Sequence, residues 1–232
     1  KPYEALGGGK LQIAETDNAV TITGDNFSVA FVDGLLTAYT VNGKNMLAAP
    51  LTLQVFRLPT DNERGRTGTY DRMGIRKLDF TPGKLEVTAA KDKQSATVVA
   101  VNSYATSGNN RFTVRQTVDV LADGVLIVNA TIDPLPKGSE LPRLGLRAEL
   151  PKEYENMTWL GRGPHDSYAD RKEAAFVGLH HSRVSEEWTN YVLPQEQGNK
   201  EEVRWIAITD DAGTGLMVVA PEQIAASAGH WR

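Results

Sequence analysis

The stretch RFTVRQTVDV at 111–120, followed by LADGVLIVNATI at 121–132, decides the fold class. In the first run Phe112, Val114, Val118 and Val120 fall on one face, and Arg111, Thr113, Arg115, Thr117 and Asp119 fall on the other. Successive strand side chains point to opposite faces, so this alternation predicts a strand with one face in a core and one in water. The second run places Leu126, Val128, Ala130 and Ile132 together, and Ala122-Asp123-Gly124 between the runs has hairpin composition. The two segments are expected to be antiparallel neighbours.

The same alternation recurs at FSVAFV (27–32), LLTAYTV (35–41), ATVVAV (96–101), RLGLRAEL (143–150), VRWIAIT (203–209) and GLMVVA (215–220). Turn residues separate these runs at Asp33-Gly34, Asn42-Gly43, Pro136 to Gly138 and Asp210 to Thr214. About a dozen strands with turns every eight to twelve residues predict a large antiparallel sandwich. Helical spacing is not sustained anywhere, and only Ser167 to Ala175 reads as a short helical turn. Leu58 to Asp79 is polar, charged and glycine-bearing, which reads as a long functional loop between strands. Residues 1–10 read as a linker or tail and 11–232 as one domain. The last residues, IAASAGHWR, stop without a closing turn, which reads as a truncated C-terminus.

Composition narrows the partners. Hydrophobic residues make up 41% and charged residues 23% of the 232-residue chain, enough apolar material for a sizeable core. The net charge of -4 is small and both signs are scattered, so there is no basic stripe for a nucleic acid. No apolar run approaches the roughly 20 residues of a membrane helix. Cysteine is absent, which excludes disulfides and thiolate metal sites and is compatible with bacterial cytoplasm or periplasm.

The four histidines, His165, His180, His181 and His230, do not have the spacing of a metal site. The doublets Glu186-Glu187 and Glu201-Glu202 read as solvated faces rather than a catalytic pair, because glycosidase carboxyls must converge from opposite sides of one sugar. No nucleophile elbow or phosphate loop is present. Three dense polar and aromatic stretches remain: VFRLPTDNERG (55–65), WLGRGPHDSYADR (159–171) and YVLPQEQGNKEEVRW (191–205). Turn formation explains their Pro, Gly, Asn and Asp. Arg57, Trp159, Arg162, Tyr168, Arg171, Tyr191 and Trp205 go beyond turn chemistry, being residue types favoured as interface anchors.

Through these residues the chain resembles the C-terminal domain, or small chain, of family 2 β-galactosidases. A pattern Phe-Arg-x-Pro-Thr-Asp-Asn-Asp-x-Gly is met by Phe56, Arg57, Pro59, Thr60, Asp61, Asn62 and Gly65, with Glu63 in place of the last Asp. A second, Trp-x-Gly-x-Gly-Pro-x-Glu-x-Tyr-x-Asp-Arg, is met by Trp159, Gly161, Gly163, Pro164, Tyr168, Asp170 and Arg171, with Asp166 where Glu is common. A third, Tyr-x-x-Pro-Gln-Glu-Asn-Gly-Asn, is met by Tyr191, Pro194, Gln195, Glu196, Gly198 and Asn199, with Gln197 for Asn. All three stand in the family's order, and the resemblance runs from about Leu11 to the end of the chain.

The resemblance implies an all-β supersandwich of two large antiparallel sheets, similar to galactose mutarotase. It implies a retaining β-galactosidase as the parent, whose catalytic glutamates and magnesium lie on a separate TIM barrel; this segment would hold no catalytic residue, metal or cofactor and would be inactive alone. Its partners would be the barrel and sandwich domains of the same polypeptide and, through them, a β-galactoside. Rim or barrel-interface candidates are Arg57, Asp61, Asn62, Gly65, Arg66, Trp159, Arg162, Tyr168, Asp170, Arg171, Tyr191, Gln195, Glu196 and Asn199. Gly65 through Thr69 corresponds to a loop near the family's site mouth and is the candidate mobile element. Trp231 is not a stand-in for the sugar-stacking aromatic that the family carries near its C-terminus. Two other classes share features with the chain: a free-standing mutarotase-like epimerase, and a carbohydrate-binding module.

Overall fold

The computed structural model describes residues 6–107, 111–134, 141–193 and 195–230. The expected turn at Pro136 to Gly138, the motif residue Pro194 and Trp231 lie outside the described residues. The chain divides into two compact units: one takes the residues up to Phe56 and Arg66–Leu150, the other takes Arg57–Gly65 and the residues from Pro151 onward.

The first unit contains β1 (Gln12–Glu15), β2 (Ala19–Thr23), β3 (Phe27–Val32), β4 (Leu35–Val41), β5 (Lys44–Asn45), β6 (Ala49–Gln54), α1 (Thr67–Met73), β7 (Leu78–Thr81), β8 (Leu85–Ala89), β9 (Ser95–Thr106), β10 (Arg111–Leu121), β11 (Leu126–Asp133) and β12 (Gly145–Glu149). Strands β1 to β5 form one sheet in sequence order; β11, β10, β9 and β7 form another, with β8 also on β9, and β6 pairs with β12. Every pairing is antiparallel. The expected hairpin is present, with Val120 opposite Leu126 and Val114 opposite Ile132.

Alternation in both five-stranded sheets aims side chains at one core. Val20, Ile22, Val29 and Phe31 from the first pack with Val98, Ala100, Val118 and Val120 from the second. The two-residue hairpin turns follow from residue type, since Asp33-Gly34 and Asn42-Gly43 all adopt positive φ, as a type I′ turn requires. The buried Asn102 side chain joins the sheets, donating to Gly34 O at 2.8 Å and accepting from Gly83 N–H at 2.9 Å.

Helix falls elsewhere than the sequence suggested. Ser167 to Ala175 forms turns and a single bridge between Tyr168 and Arg171 instead of a helical turn. Within the stretch read as a loop, Asp61–Arg66 is a 3-10 turn leading into α1. Seven residues are too few to display helical periodicity. Only Tyr70 of α1 is fully buried, against Val55 and Ile75, and Gly74 ends the helix in the left-handed conformation, donating to Tyr70 and Asp71 carbonyls. No helix among the described residues is long and apolar enough to cross a membrane.

The second unit is a four-stranded antiparallel sheet of β13 (Asn156–Gly163), β14 (Phe176–Arg183), β15 (Lys200–Thr209) and β16 (Gly215–Ala226), ordered β14-β13-β15-β16. Its core is Met157, Trp159, Val184, Val203 and Ile206. Gly163 is required here by close approach: a Cβ would lie 2.7 Å from the His180 ring and 2.8 Å from the Trp159 ring. The glycine of the Trp-x-Gly-x-Gly pattern therefore makes room for the tryptophan of the same pattern.

Candidate functional site

Arg57–Gly65 folds with the second unit, and its own chemistry shapes it. The Arg57 guanidinium grips Glu63 as a fork, with Nη1 to Oε2 at 2.6 Å and Nη2 to Oε1 at 3.0 Å. Glu63 Oε2 also accepts from the Thr60 N–H at 2.9 Å and the Thr60 hydroxyl at 3.1 Å. Burial alone would push the Glu63 carboxyl up, but the Arg57 and Thr60 donors outweigh it and hold the group below its ordinary 4.5.

The third polar stretch clasps this segment. Glu196 accepts from Leu58 N–H at 3.2 Å and donates its own N–H to Pro59 O at 3.2 Å, while Gln195 accepts from Asp61 N–H at 3.0 Å. The second stretch reaches it through Asp170, which accepts from Asn62 Nδ2 at 2.8 Å. Between them lies the buried Tyr168 ring, with the Arg171 guanidinium 4.7 Å and the Arg57 guanidinium 5.8 Å from its centroid. Asp166 accepts from the Tyr191 hydroxyl at 3.1 Å and from Arg171 at 3.3 Å. Burial first, then the nearby Glu196 and Asp166 charges, push the Tyr168 hydroxyl well above the ordinary tyrosine value, so it stays neutral.

Beneath this layer the second and third stretches are zipped together. Ser167 N–H donates to Asn199 O at 2.7 Å, Asn199 Nδ2 donates to Ser167 O at 2.8 Å, and the Ser167 hydroxyl accepts from Glu201 N–H at 2.9 Å. Lys200 is buried: its ammonium lies 2.7 Å from Glu187, donates to Pro164 O at 2.9 Å and sits 4.9 Å from the Trp159 ring centroid. The Trp159 indole N–H donates to Arg162 O at 2.9 Å. Strand β15 shifts register between Lys200 and Val203, and Glu202 there has a φ of 54°. Such a bulge re-aims a side chain. The Glu202 carboxylate takes Arg162 at 2.7 Å and Lys172 at 3.2 Å, and the Arg162 bond is the main cause holding its pKa below the ordinary value.

Residues 23–232 match the family described as beta galactosidase small chain. The chain belongs to that family. It is 29% identical over 212 residues to a β-galactosidase of Priestia megaterium, covering 90% of this chain and 20% of that protein. It is 31% identical over 220 residues to one of Halalkalibacterium halodurans, covering 93% and 22%, and 32% identical over 189 residues to β-galactosidase BgaC of Bifidobacterium adolescentis, covering 80% and 18%. This small-chain segment thus spans about one fifth of the length of the curated relatives it matches.

In this small-chain member, the three positions that depart from the family patterns are all engaged acceptors. Glu63 takes the Arg57 fork, Asp166 takes Tyr191 and Arg171, and Gln197 accepts from Thr189 N–H at 2.6 Å. Arg57, Tyr168, Arg171, Tyr191, Gln195 and Glu196, together with Asn62 and Asp170, are brought into one cluster by direct bonds or ring contacts. Trp159 is 0% exposed and Tyr168 and Asn199 are buried, so these three form the base of the cluster and present almost no surface. Arg162 is turned inward, its guanidinium held by Glu202, Lys172 O and Ala175 O. Asp61, Asn62, Gly65, Arg66, Asp170 and Arg171 are the exposed candidates. Gly65 and Arg66 lie in the 3-10 turn, and Thr67–Thr69 opens α1, so the expected mobile element has regular local structure.

Four groups central to the cluster were not among the rim or interface candidates: Glu63, Asp166, Lys200 and Glu187. Glu187 and Glu202 also depart from the expectation for charged doublets, because each is held against a cation rather than solvated. The only local signal was an acid at Glu63 and Asp166 where the family also carries one. Large apolar side chains do reach solvent beside the cluster: Leu58 at 49%, Trp188 at 69%, Val192 at 98% and Leu193 at 53% exposure.

Proposed function

We propose that this chain is the non-catalytic C-terminal supersandwich domain of a family 2 retaining β-galactosidase. In this reading it docks on the catalytic TIM barrel and shapes the rim of the active site. The observation that supports it is the convergence of three sequence-distant motif stretches in one bonded cluster. Most of the cluster's polar groups bond to one another, the buried Tyr168 hydroxyl being the exception, while Asp61, Asn62, Gly65 and the apolar Leu58, Trp188, Val192 and Leu193 are exposed. A rigid polar base carrying exposed apolar side chains is the anatomy of a docking surface.

The paired glutamates that make and break the glycosyl-enzyme bond, and the magnesium, belong to the barrel in this reading. In this reading the role of the chain is positional: Arg57, Glu63 and Thr60 hold Asp61 to Gly65 in one shape, and Gln195 and Glu196 bind that segment.

The test uses a chromogenic β-galactoside. The 232-residue chain is expected to give no turnover and the longer polypeptide to hydrolyse it. Replacing Asn62 or Arg66 by Ala in the longer polypeptide is expected to raise KM more than it lowers kcat. Turnover by the purified chain would overturn the non-catalytic assignment, and unchanged kinetics in both variants would overturn the rim. Polarimetric mutarotation of α-galactose, or retention on immobilised lactose by the chain alone, would favour the epimerase or binding-module class instead.

A further inference from the structure

Asn42 is the one asparagine of this chain that precedes a glycine. The pair forms the two-residue turn between β4 and β5, with φ of 50° at Asn42 and 78° at Gly43. Both residues are exposed, and a Cβ built on Gly43 would have nothing within 4 Å. Among the described residues the Asn42 side chain makes no hydrogen bond, whereas the amides of Asn45, Asn62, Asn102 and Asn199 are each tied to a partner. Asn26, Asn129 and Asn190 are exposed as well, but Phe27, Ala130 and Tyr191 follow them, and a side chain there screens the following amide nitrogen as a glycine does not.

We propose that Asn42 is a deamidation site, a modification that leaves one product the fold accepts and one it does not. The Gly43 amide nitrogen, losing its proton to base, attacks Asn42 Cγ. The bond from Cγ to the side-chain nitrogen breaks, ammonia leaves, and a five-membered succinimide remains. Water then opens the ring. Opening at Cγ gives an aspartyl residue on the normal backbone. Opening at the main-chain carbonyl gives isoaspartate, whose backbone runs through Cβ and Cγ and is one methylene longer. The net change is amide plus water to carboxylate plus ammonium, with no oxidant or reductant.

The neighbouring turn shows why the aspartyl product is tolerated. Asp33-Gly34 has φ of 49° and 76°, nearly the angles of Asn42-Gly43, so an acid already occupies this conformation in the chain. Isoaspartate is different. A two-residue turn fixes register, and an added methylene misaligns the pairs Val41 with Lys44 and Thr40 with Asn45. It also disturbs the 2.7 Å bond from Met46 N–H to Tyr39 O, which leads the chain into the buried Met46 and Leu47. Those same pairings restrain the rotation that brings the Gly43 nitrogen to Cγ, so the reaction runs through opening of β5, a two-residue strand at the end of its sheet. The Asp-Gly turns are poorer sites: Asp33 accepts from Asn18 at 3.1 Å, Asp123 accepts from Leu6 and Val125 N–H, and Gly124 N–H is spent on Leu121 O.

The test is incubation of the folded protein in mildly alkaline buffer, with peptide mass spectrometry over time. The peptide holding Asn42 is expected to gain the mass of an amide-to-acid change at least about tenfold faster than those holding Asn129 or Asn190, since only Asn42 is followed by an unscreened nitrogen. Isoaspartate, detected by enzymatic methyl transfer to its carboxyl, is expected at this position, and isoelectric focusing should show one added negative charge. A peptide of residues 38–47 should react faster still, because no strand pairing restrains it. Asn42→Asp is expected to melt with wild type and keep amide protection at Met46, while the isoaspartyl fraction loses it. Comparable rates at Asn129 or Asn190 would overturn the site, and loss of Met46 protection in Asn42→Asp would overturn the tolerated product. Equal rates in peptide and folded protein would overturn the opening step. None of these readouts uses hydrolysis of a galactoside, so they stand apart from the functional assignment.

Discussion

Lys200→Met tests whether the cluster is held from below by a buried charge. Methionine keeps the length and apolar stem of lysine, so packing against Trp159 is largely retained while the charge is removed. Three interactions go: the 2.7 Å pair with Glu187, the 2.9 Å bond to Pro164 O, and the ammonium contact with the Trp159 ring. The Lys200 and Glu187 side chains are 2% and 7% exposed, so water cannot replace the lost partner. Removing one member of such a pair costs about 3–5 kcal/mol, most of it from the carboxylate left behind. Urea unfolding followed by tryptophan fluorescence and circular dichroism should therefore show a loss of about 3–4 kcal/mol. Glu187→Gln in the same background should recover at least about 2 kcal/mol, because the stranded charge is gone. An exposed pair would give a cycle coupling below about 1 kcal/mol. A single-variant loss under about 1 kcal/mol, or a double variant no better than Lys200→Met alone, would refute the buried-pair reasoning.

Three further outcomes follow from geometry already described. Glu63 has a lowered pKa, so its contribution is complete above its ordinary 4.5 and fades as pH falls through the lowered value; the stability gap between wild type and Glu63→Gln should be constant from neutral pH to about 5 and shrink below about 4 in pH-dependent urea titrations. Gly163→Ala forces a methyl against two rings, and overpacking of this kind should cost about 1–3 kcal/mol, read as a drop in melting temperature. Asn102→Ala leaves the Gly34 carbonyl and the Gly83 N–H without their bonds, and should cost about 1–3 kcal/mol with loss of amide protection at Gly83 in hydrogen exchange.

The fold class was legible because its signal is local. Alternation at 27–32, 35–41, 96–101 and 111–132 depends only on neighbouring residues, and Asp33-Gly34 and Asn42-Gly43 carry their turn geometry in their own backbone preferences. The three family patterns were equally visible, as ordered residue types along the chain. Short helices were not: α1 has one fully buried side chain and no period to detect.

What each motif residue does was decided by tertiary structure, because its partner lies far away in sequence. Asn62 meets Asp170 at a separation of 108 residues and Leu58 meets Glu196 at 138, distances over which no residue pattern specifies contact. Trp159 and Arg162, residue types suited to an interface, turn inward because Gly163 opens space for one ring and the Glu202 bulge supplies a carboxylate for the guanidinium. The apolar runs of β15 and β16 were likewise written in the sequence. Only the register showed which of their side chains share a face of the sheet, since that depends on which strands pair and in what alignment.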